Sequence, residues 1–294
     1  MRSFEIICPV YNEGEGILNF TEKLKSELSK LESRYDWKIL FIHDPSLRND
    51  TTWEVIKKMA QSDNRVSGIS MWKRFGVQAA LWAGLENTKG DFVIMMDGDG
   101  QHPPEIIHDL ITQYESSHPV VLTKRKEGFR LKIFLFYKLM NLFSEHPPVL
   151  SHSDLRLLDR RVINILLEQF HERKPFLRTL MGYWGSPPVI EYTVQVRFAG
   201  KSSFNLKHSY NYFIEALLSA GHFPYRYLVP LALLIPAIML THSIVMQNWS
   251  GALIHLWFTF MTLIVGMIAL NIERISVYSR KRPNYIIKDK INCL

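Results

Sequence analysis

The chain has little cysteine: Cys8 and Cys293, two in 294 residues and almost at opposite ends. A disulfide framework needs more, so small stapled secreted scaffolds are excluded. Cys8 lies in an apolar run and is expected as a buried free thiol. Internal repeats and low-complexity tracts are lacking, which excludes solenoids and arrays. Phe4-Glu5-Ile6-Ile7-Cys8-Pro9-Val10 has no basic n-region and no long h-region, so it reads as a first strand rather than a signal peptide. Neither sign of charge dominates: 35 Lys and Arg against 28 Asp and Glu leave +7. Such a surplus suits phosphates, nucleic acid or an anionic membrane surface. No nucleic-acid-binding motif accompanies it, so a nucleic-acid partner is not expected.

What is present is a run, Phe92-Val93-Ile94-Met95-Met96, that ends in Asp97-Gly98-Asp99-Gly100-Gln101. The apolar part reads as a buried strand. Carboxylates at its C-terminal end stand where open α/β sheets bind ligands. Gly98 and Gly100 are expected to let the backbone turn so that both carboxylates face one point. Hard divalent cations take oxygen ligands, and Mg²⁺ usually binds through one or two carboxylates plus substrate phosphates. The run alone leaves two readings open: a metal-diphosphate site, or two acidic turn residues after a strand.

Residues 1–125 alternate in character. Strands are expected at Glu5–Val10, Lys38–His43, Val66–Met71, Phe92–Met96 and Val120–Thr123. Helices are expected at Gly16–Ser33, Thr52–Gln61, Gly76–Asn87 and Pro104–Ser116. That βα rhythm predicts an α/β fold, Rossmann-like, with a mostly parallel sheet. Residues 130–143, aromatic with interleaved Lys132 and Lys138, suit either a membrane-interface helix or an ordinary core helix.

The last third reads differently. Segments 228–246 and 252–272 are nearly all apolar, each close to the ~20 residues of a spanning helix. They predict a transmembrane hairpin over 227–273, fed by a juxtamembrane amphipathic helix at 205–226 and followed by a basic tail at 274–294. A buried two-helix core is the alternative. Basic residues flank both ends of the hairpin and its turn is uncharged, which places both termini and the 1–204 domain in the cytoplasm.

Several strings then coincide in order. They are Ile7-Cys8-Pro9-Val10-Tyr11-Asn12-Glu13, Phe41-Ile42-His43-Asp44-Pro45-Ser46, Phe75-Gly76-Val77-Gln78-Ala79-Ala80, Met96-Asp97-Gly98-Asp99-Gly100-Gln101-His102-Pro103-Pro104-Glu105, Asp154-Leu155-Arg156 and Arg197-Phe198-Ala199-Gly200-Lys201-Ser202-Ser203. Together they resemble the family 2 glycosyltransferases that load sugars onto polyprenyl phosphates. Bacterial undecaprenyl-phosphate members with two C-terminal membrane helices look most similar, dolichol-phosphate mannose synthases less so. The resemblance implies a GT-A fold and inverting transfer of one sugar from a nucleotide-sugar donor, UDP-linked by expectation, to undecaprenyl phosphate. It also implies Mg²⁺ or Mn²⁺, a lipid bilayer, a multi-pass place in the bacterial inner membrane, and a possible homo-oligomer.

Residue by residue, Asp97, Asp99 and Gln101 match the family's metal positions. Pro9, Tyr11, Glu13, Asp44 and Asp97 match the nucleotide-sugar pocket, and Arg125, Arg197, Lys201 and Ser202 match phosphate-binding positions. Asp154 and Asp99 match the catalytic acids, Asp154 either as general base or as an orienting group. His102 is a candidate to approach the site, and His108 a structural residue.

The chain departs from the family at His43 and Pro45, where an aspartate and a glycine are usual, and at Arg74, Val77 and Gly100. The first two motivate the alternative of a degenerate transferase kept as a membrane scaffold or partner subunit. A processive polysaccharide synthase would carry a Gln-x-x-Arg-Trp motif, which is absent.

Overall fold

The computed structural model describes residues 1–46, 49–126, 138, 152–170, 176–195, 251–279 and 283–293. Its apolar runs become the strands of one sheet. They are β1 (Arg2–Val10), β2 (Tyr35–His43), β3 (Val66–Met71), β4 (Phe92–Met95), β5 (Val120–Arg125), β6 (His152–Asp159), β7 (Val189–Tyr192) and β8 (Ile287–Ile291). The sheet order is β7-β5-β6-β4-β1-β2-β3-β8. β4, β1, β2 and β3 are parallel neighbours; β6 and β8 run against the rest. The sheet is thus mostly parallel, as expected.

Strand residues alternate between faces, as the two-residue period requires. Phe4, Ile6 and Cys8 belong to one core with Ile17, Phe20 and Leu24 of α1 (Gly16–Ser29), Ile56 of α2 (Thr52–Ser62) and Leu110 of α4 (Ile106–Glu115). Ile7 belongs to the other core, with Leu81 and Leu85 of α3 (Val77–Glu86) and Ile163 and Leu166 of α5 (Arg160–Gln169). Two short turns follow, α6 (Leu177–Leu180) and a 3₁₀ turn at Met181–Trp184. Cys8 and Cys293 are both free, and Cys8 is buried.

The first nine expected elements all form, with boundaries moved by a few residues. β6, β7 and β8 were not foreseen. β8 comes from the basic C-terminal segment read as a tail. Ile291 pairs with Gly68 and Lys290 with Ile69. Asp289 accepts from Trp53 Nε1 at 3.2 Å, and Asn292 Nδ2 donates to the carbonyls of Ala60 and Val66.

The membrane expectation needs correction. Among the described residues, no helix is long and apolar enough to cross a membrane, which overturns the multi-pass inner-membrane localisation. The second expected span falls within α7 (Gly251–Ser279). That helix does not end with the apolar run: it continues through Asn271, Glu273 and Arg274, so polar and charged groups lie within it. The first expected span, 228–246, lies outside the described residues, as do the 205–226 helix and all of 130–143 except Lys138.

Candidate active site

Asp97 and Asp99 follow β4 at the C-terminal ends of the parallel strands. The turn between them is tight for two separate reasons. Gly98 donates its N–H to the Pro9 carbonyl at 3.3 Å, and a Cβ on Gly98 would meet Val10 Cγ1 at 2.4 Å. Close approach to β1, rather than an unusual dihedral, requires glycine there. Gly100 has φ of 80°, a left-handed conformation that favours glycine. Asp99 Oδ1 then accepts the Gln101 N–H at 3.0 Å, which draws the loop over the carboxylate.

His102 lies under this loop, 1% exposed. Its Nδ1 accepts the Asp97 N–H at 3.0 Å, and its ring meets Tyr192 edge-on at 5.5 Å. With Nδ1 accepting, the neutral ring carries its proton on Nε2, which stands 3.7 Å from Asp97 Oδ2. Burial pushes His102 down to about 4, which keeps it neutral. His108 pairs instead with Glu27 at 3.1 Å, a structural contact between α4 and α1.

In the antiparallel register, Met95 faces Arg156; continued by two residues, it sets Asp97 opposite Asp154. Asp154 is gripped by two guanidinium groups. Arg178 donates Nε to Oδ1 at 3.0 Å and Nη2 to Oδ2 at 2.6 Å, while Arg156 Nη2 reaches Oδ1 at 2.9 Å. Burial alone would raise the Asp154 pKa, but Arg178 and then Arg156 hold it well below the usual carboxylate range. Asp97 goes the other way. Burial, then the charges of Asp154 and Asp99, push it up to about 7, with Arg125 and Arg178 opposing.

This crowding bears on a metal. Among the described residues, no three His, Cys, Asp or Glu side chains are grouped to hold one. Two neighbouring carboxylates and the Gln101 amide are hard oxygen donors, however, and their mutual repulsion is what a cation relieves. The donor set fits a divalent ion that takes its remaining ligands from substrate phosphates.

The expected nucleotide-pocket residues lie on the β1–β2 side. Tyr11 follows β1, its ring covered by the Arg74 guanidinium at 4.2 Å, with Arg74 Nη1 donating to the Tyr11 hydroxyl at 3.2 Å. Asp44 is 5% exposed, and its two oxygens accept the N–H groups of Phe75 and Gly76 at 2.7 and 2.9 Å. It ties the end of β2 to the start of α3. The Glu13 carbonyl accepts from Gly16 at the entry to α1. The departure at His43 proves internally matched: Nδ1 is 2.9 Å from Ser70 Oγ, Nε2 is 3.1 Å from Asp50 Oδ2, and the ring stacks on Trp53.

On the opposite side, Arg125 ends β5, half-buried near Asp97 and Tyr192. Gln195 donates its N–H to the Gln101 carbonyl at 3.0 Å, joining the chain after β7 to the carboxylate loop. Arg197, Lys201 and Ser202 lie outside the described residues. Sequence reading missed Arg156, Arg178 and Asp50. Arg156 had a signal, since residues two apart on a strand share a face and Asp154 is its partner. Arg178 had none.

Glycosyl transferase family 2 matches residues 5–159. The bactoprenol glucosyl transferase of Shigella phage SfV is 33% identical, with 97% of this chain and 98% of that protein aligned. The putative glycosyltransferase CsbB of Bacillus subtilis (strain 168) is 31% identical, with 97% and 91% aligned. Among solved structures, mannosyl-3-phosphoglycerate synthase from Rubrobacter xylanophilus superposes with a TM-score of 0.53 at 14% identity, covering 74% of this chain and 72% of its own. Glucosyl-3-phosphoglycerate synthase from Mycobacterium tuberculosis, in complex with Mn²⁺, UDP and phosphoglyceric acid, gives 0.51 at 19%, covering 75% and 79%. These structural likenesses show the fold, a GT-A α/β arrangement.

Proposed function

Because this chain belongs to glycosyl transferase family 2, we propose that it transfers one sugar from a nucleotide-sugar donor to the phosphate of a polyprenyl phosphate. The donor is expected to be UDP-linked and the acceptor to be undecaprenyl phosphate. Full-length relatives named bactoprenol glucosyl transferases support the acceptor class. The observation that carries the reading is the order of groups along one edge of the sheet. Tyr11, Asp44 and Arg74 stand at the ends of β1, β2 and β3, the carboxylates after β4, and Asp154, Arg178 and Arg125 around β6 and β5. A nucleoside, its diphosphate and a phosphate acceptor laid along that edge would meet matching chemistry in the same order.

In the proposed step an acceptor phosphate oxygen bonds to the anomeric carbon. The bond from that carbon to the diphosphate oxygen breaks, its electron pair leaves with the nucleoside diphosphate, and the carbon inverts. The acceptor is a monoester whose second pKa is ~6, so near neutrality its attacking oxygen has no proton to lose. Asp97, Asp99 and Gln101 would hold Mg²⁺ or Mn²⁺, which supplies Lewis-acid stabilisation of the departing diphosphate. The protein's own part is to orient. His102 and the Gly98 turn fix the carboxylates, and the guanidinium groups offer charge-assisted donors to phosphate oxygens.

Purified protein in detergent with undecaprenyl phosphate and Mg²⁺ or Mn²⁺ would be offered UDP-glucose, UDP-N-acetylglucosamine, UDP-galactose and GDP-mannose. Mass spectrometry is expected to find one glycolipid, absent with Asp99→Ala. No product with any donor, together with no nucleotide binding, would overturn the reading in favour of a degenerate scaffold.

A further inference from the structure

We propose that Arg178 binds the phosphate of the acceptor, and that Asp154 is the anchor fixing its guanidinium rather than a general base. The proposal rests on the transfer reaction above and assigns its acceptor subsite.

Three observations support it. The first is placement. The nucleoside candidates stand at β1, β2 and β3, so the side of the carboxylates turned toward β6 and β5 faces away from the nucleoside. Arg178 reaches Asp154 there, at the start of β6, with Arg125 at the end of neighbouring β5. The second is geometry. A base needs an open oxygen turned toward the proton it takes. Both Asp154 oxygens are instead engaged, Oδ2 by Arg178 at 2.6 Å and Oδ1 by Arg178 and Arg156 at 3.0 and 2.9 Å. This is the two-point fork that fixes a guanidinium plane. The two arginines differ in exposure: the Arg156 side chain is 0% exposed and that of Arg178 is 21%. Arg156 therefore braces the anchor from within, while Arg178 reaches the open site.

The third is chemistry. A phosphate dianion attacks without losing a proton, so the step needs no base at this position. It does need cationic donors that hold the nucleophile in line and lessen its repulsion from the donor diphosphate.

The test compares wild type with Arg178→Ala, Arg178→Lys, Asp154→Asn and the Asp154→Ala/Arg178→Ala double variant. Steady-state transfer is measured against lipid phosphate over a pH series, and UDP binding with Mn²⁺ by calorimetry. Loss of a charge-assisted phosphate contact predicts an acceptor KM raised about 10- to 100-fold in Arg178→Ala. UDP affinity should stay within about twofold, showing an intact donor half, and Arg178→Lys should recover part of the loss. Asp154→Asn should also raise the acceptor KM while keeping the acid limb of the wild-type pH–rate profile. The double variant should be no worse than Arg178→Ala. An unchanged acceptor KM in Arg178→Ala would overturn the assignment. So would an Asp154→Asn enzyme with normal acceptor KM, collapsed kcat and no acid limb, which is the signature of a base. A wild type that makes no glycolipid would overturn the transfer reaction itself, and the assignment with it.

Discussion

The two wings of the sheet, on either side of the β4 carboxylates, are built on different terms. In the β1–β2–β3 wing the strands are parallel and apolar, and buried polar groups satisfy one another. Asp44 binds two backbone N–H groups, and His43 sits between Ser70 and Asp50. In the β6–β5–β7 wing β6 runs against both of its neighbours and charge is concentrated, with Asp154, Arg156, Arg178 and Arg125 close to Asp97 and Asp99. The first wing is a cradle in which Asp44, His43 and Asp50 are held by groups of the protein itself. The second balances three carboxylates against three guanidinium groups, and any phosphate or cation that enters shifts the balance. Shape is set on one side and charge on the other.

The largest effect should come from the seam between the wings. Asp99→Ala is expected to lower transfer by about 10²- to 10³-fold or more, the scale of losing one electrostatic group at a reacting centre. Its urea midpoint should stay near wild type, measured beside initial rates of glycolipid formation. A large loss of stability instead would mean that the carboxylate loop belongs to the cradle.

Next is the charged wing itself. Arg156→Met removes a fully buried partner of Asp154 and should cost about 3 kcal/mol. Urea unfolding measures it, and an unchanged midpoint would show that Arg178 alone satisfies Asp154.

The cradle should respond to pH in a defined direction. Burial on its own would raise the Asp50 pKa, but His43, Thr52 and Ser46 hold it below the usual range. A depressed carboxylate stabilises the fold above its unfolded pKa of ~3.9, and that contribution is lost as pH falls toward the folded value. Asp50→Asn should therefore cost about 2 kcal/mol at pH 7, with the gap to wild type narrowing below about pH 4. Parallel stability curves across that range would mean that Asp50 contributes nothing through its charge. The smallest effect is expected at the exposed rim of the same wing. Arg74→Ala removes a guanidinium–aromatic contact worth about 0.5–1 kcal/mol, so UDP affinity should change by no more than about fivefold.

The same contrast explains what could be read from the chain. Parallel strands buried on both faces read as continuous apolar runs, and Phe92–Met95 was legible to within one residue. Asp97 and Asp99 were legible because they interrupt such a run. β6 was missed because Asp154, Arg156 and Asp159 break its apolar pattern, although the first two neutralise each other in the fold. β7 is four residues, largely exposed, and β8 alternates charge along a sheet edge, so neither shows strand periodicity. His43 looked like a lost acid. It is a paired group whose partner, Asp50, lies seven residues on and could be identified only once the loop was folded. Arg178 is joined to Asp154 across 24 residues, a pairing that no local pattern encodes.

β8 gives the chain the topology of a belt with two buckles. Eight strands are separated by seven gaps of ~4.8 Å, so β7 and β8 lie roughly 30 Å apart at opposite margins. The chain leaves one margin of the sheet at residue 192 and joins the other margin at residue 287. A chain cut after β7 would keep Asp97, Asp99, Asp154, Arg125, Arg156 and Arg178, yet would lose the strand that covers β3. An uncovered strand offers its unpaired backbone groups to other chains. Such a protein would keep its catalytic chemistry on paper and face self-association in the tube, so the last dozen residues guard solubility as much as shape.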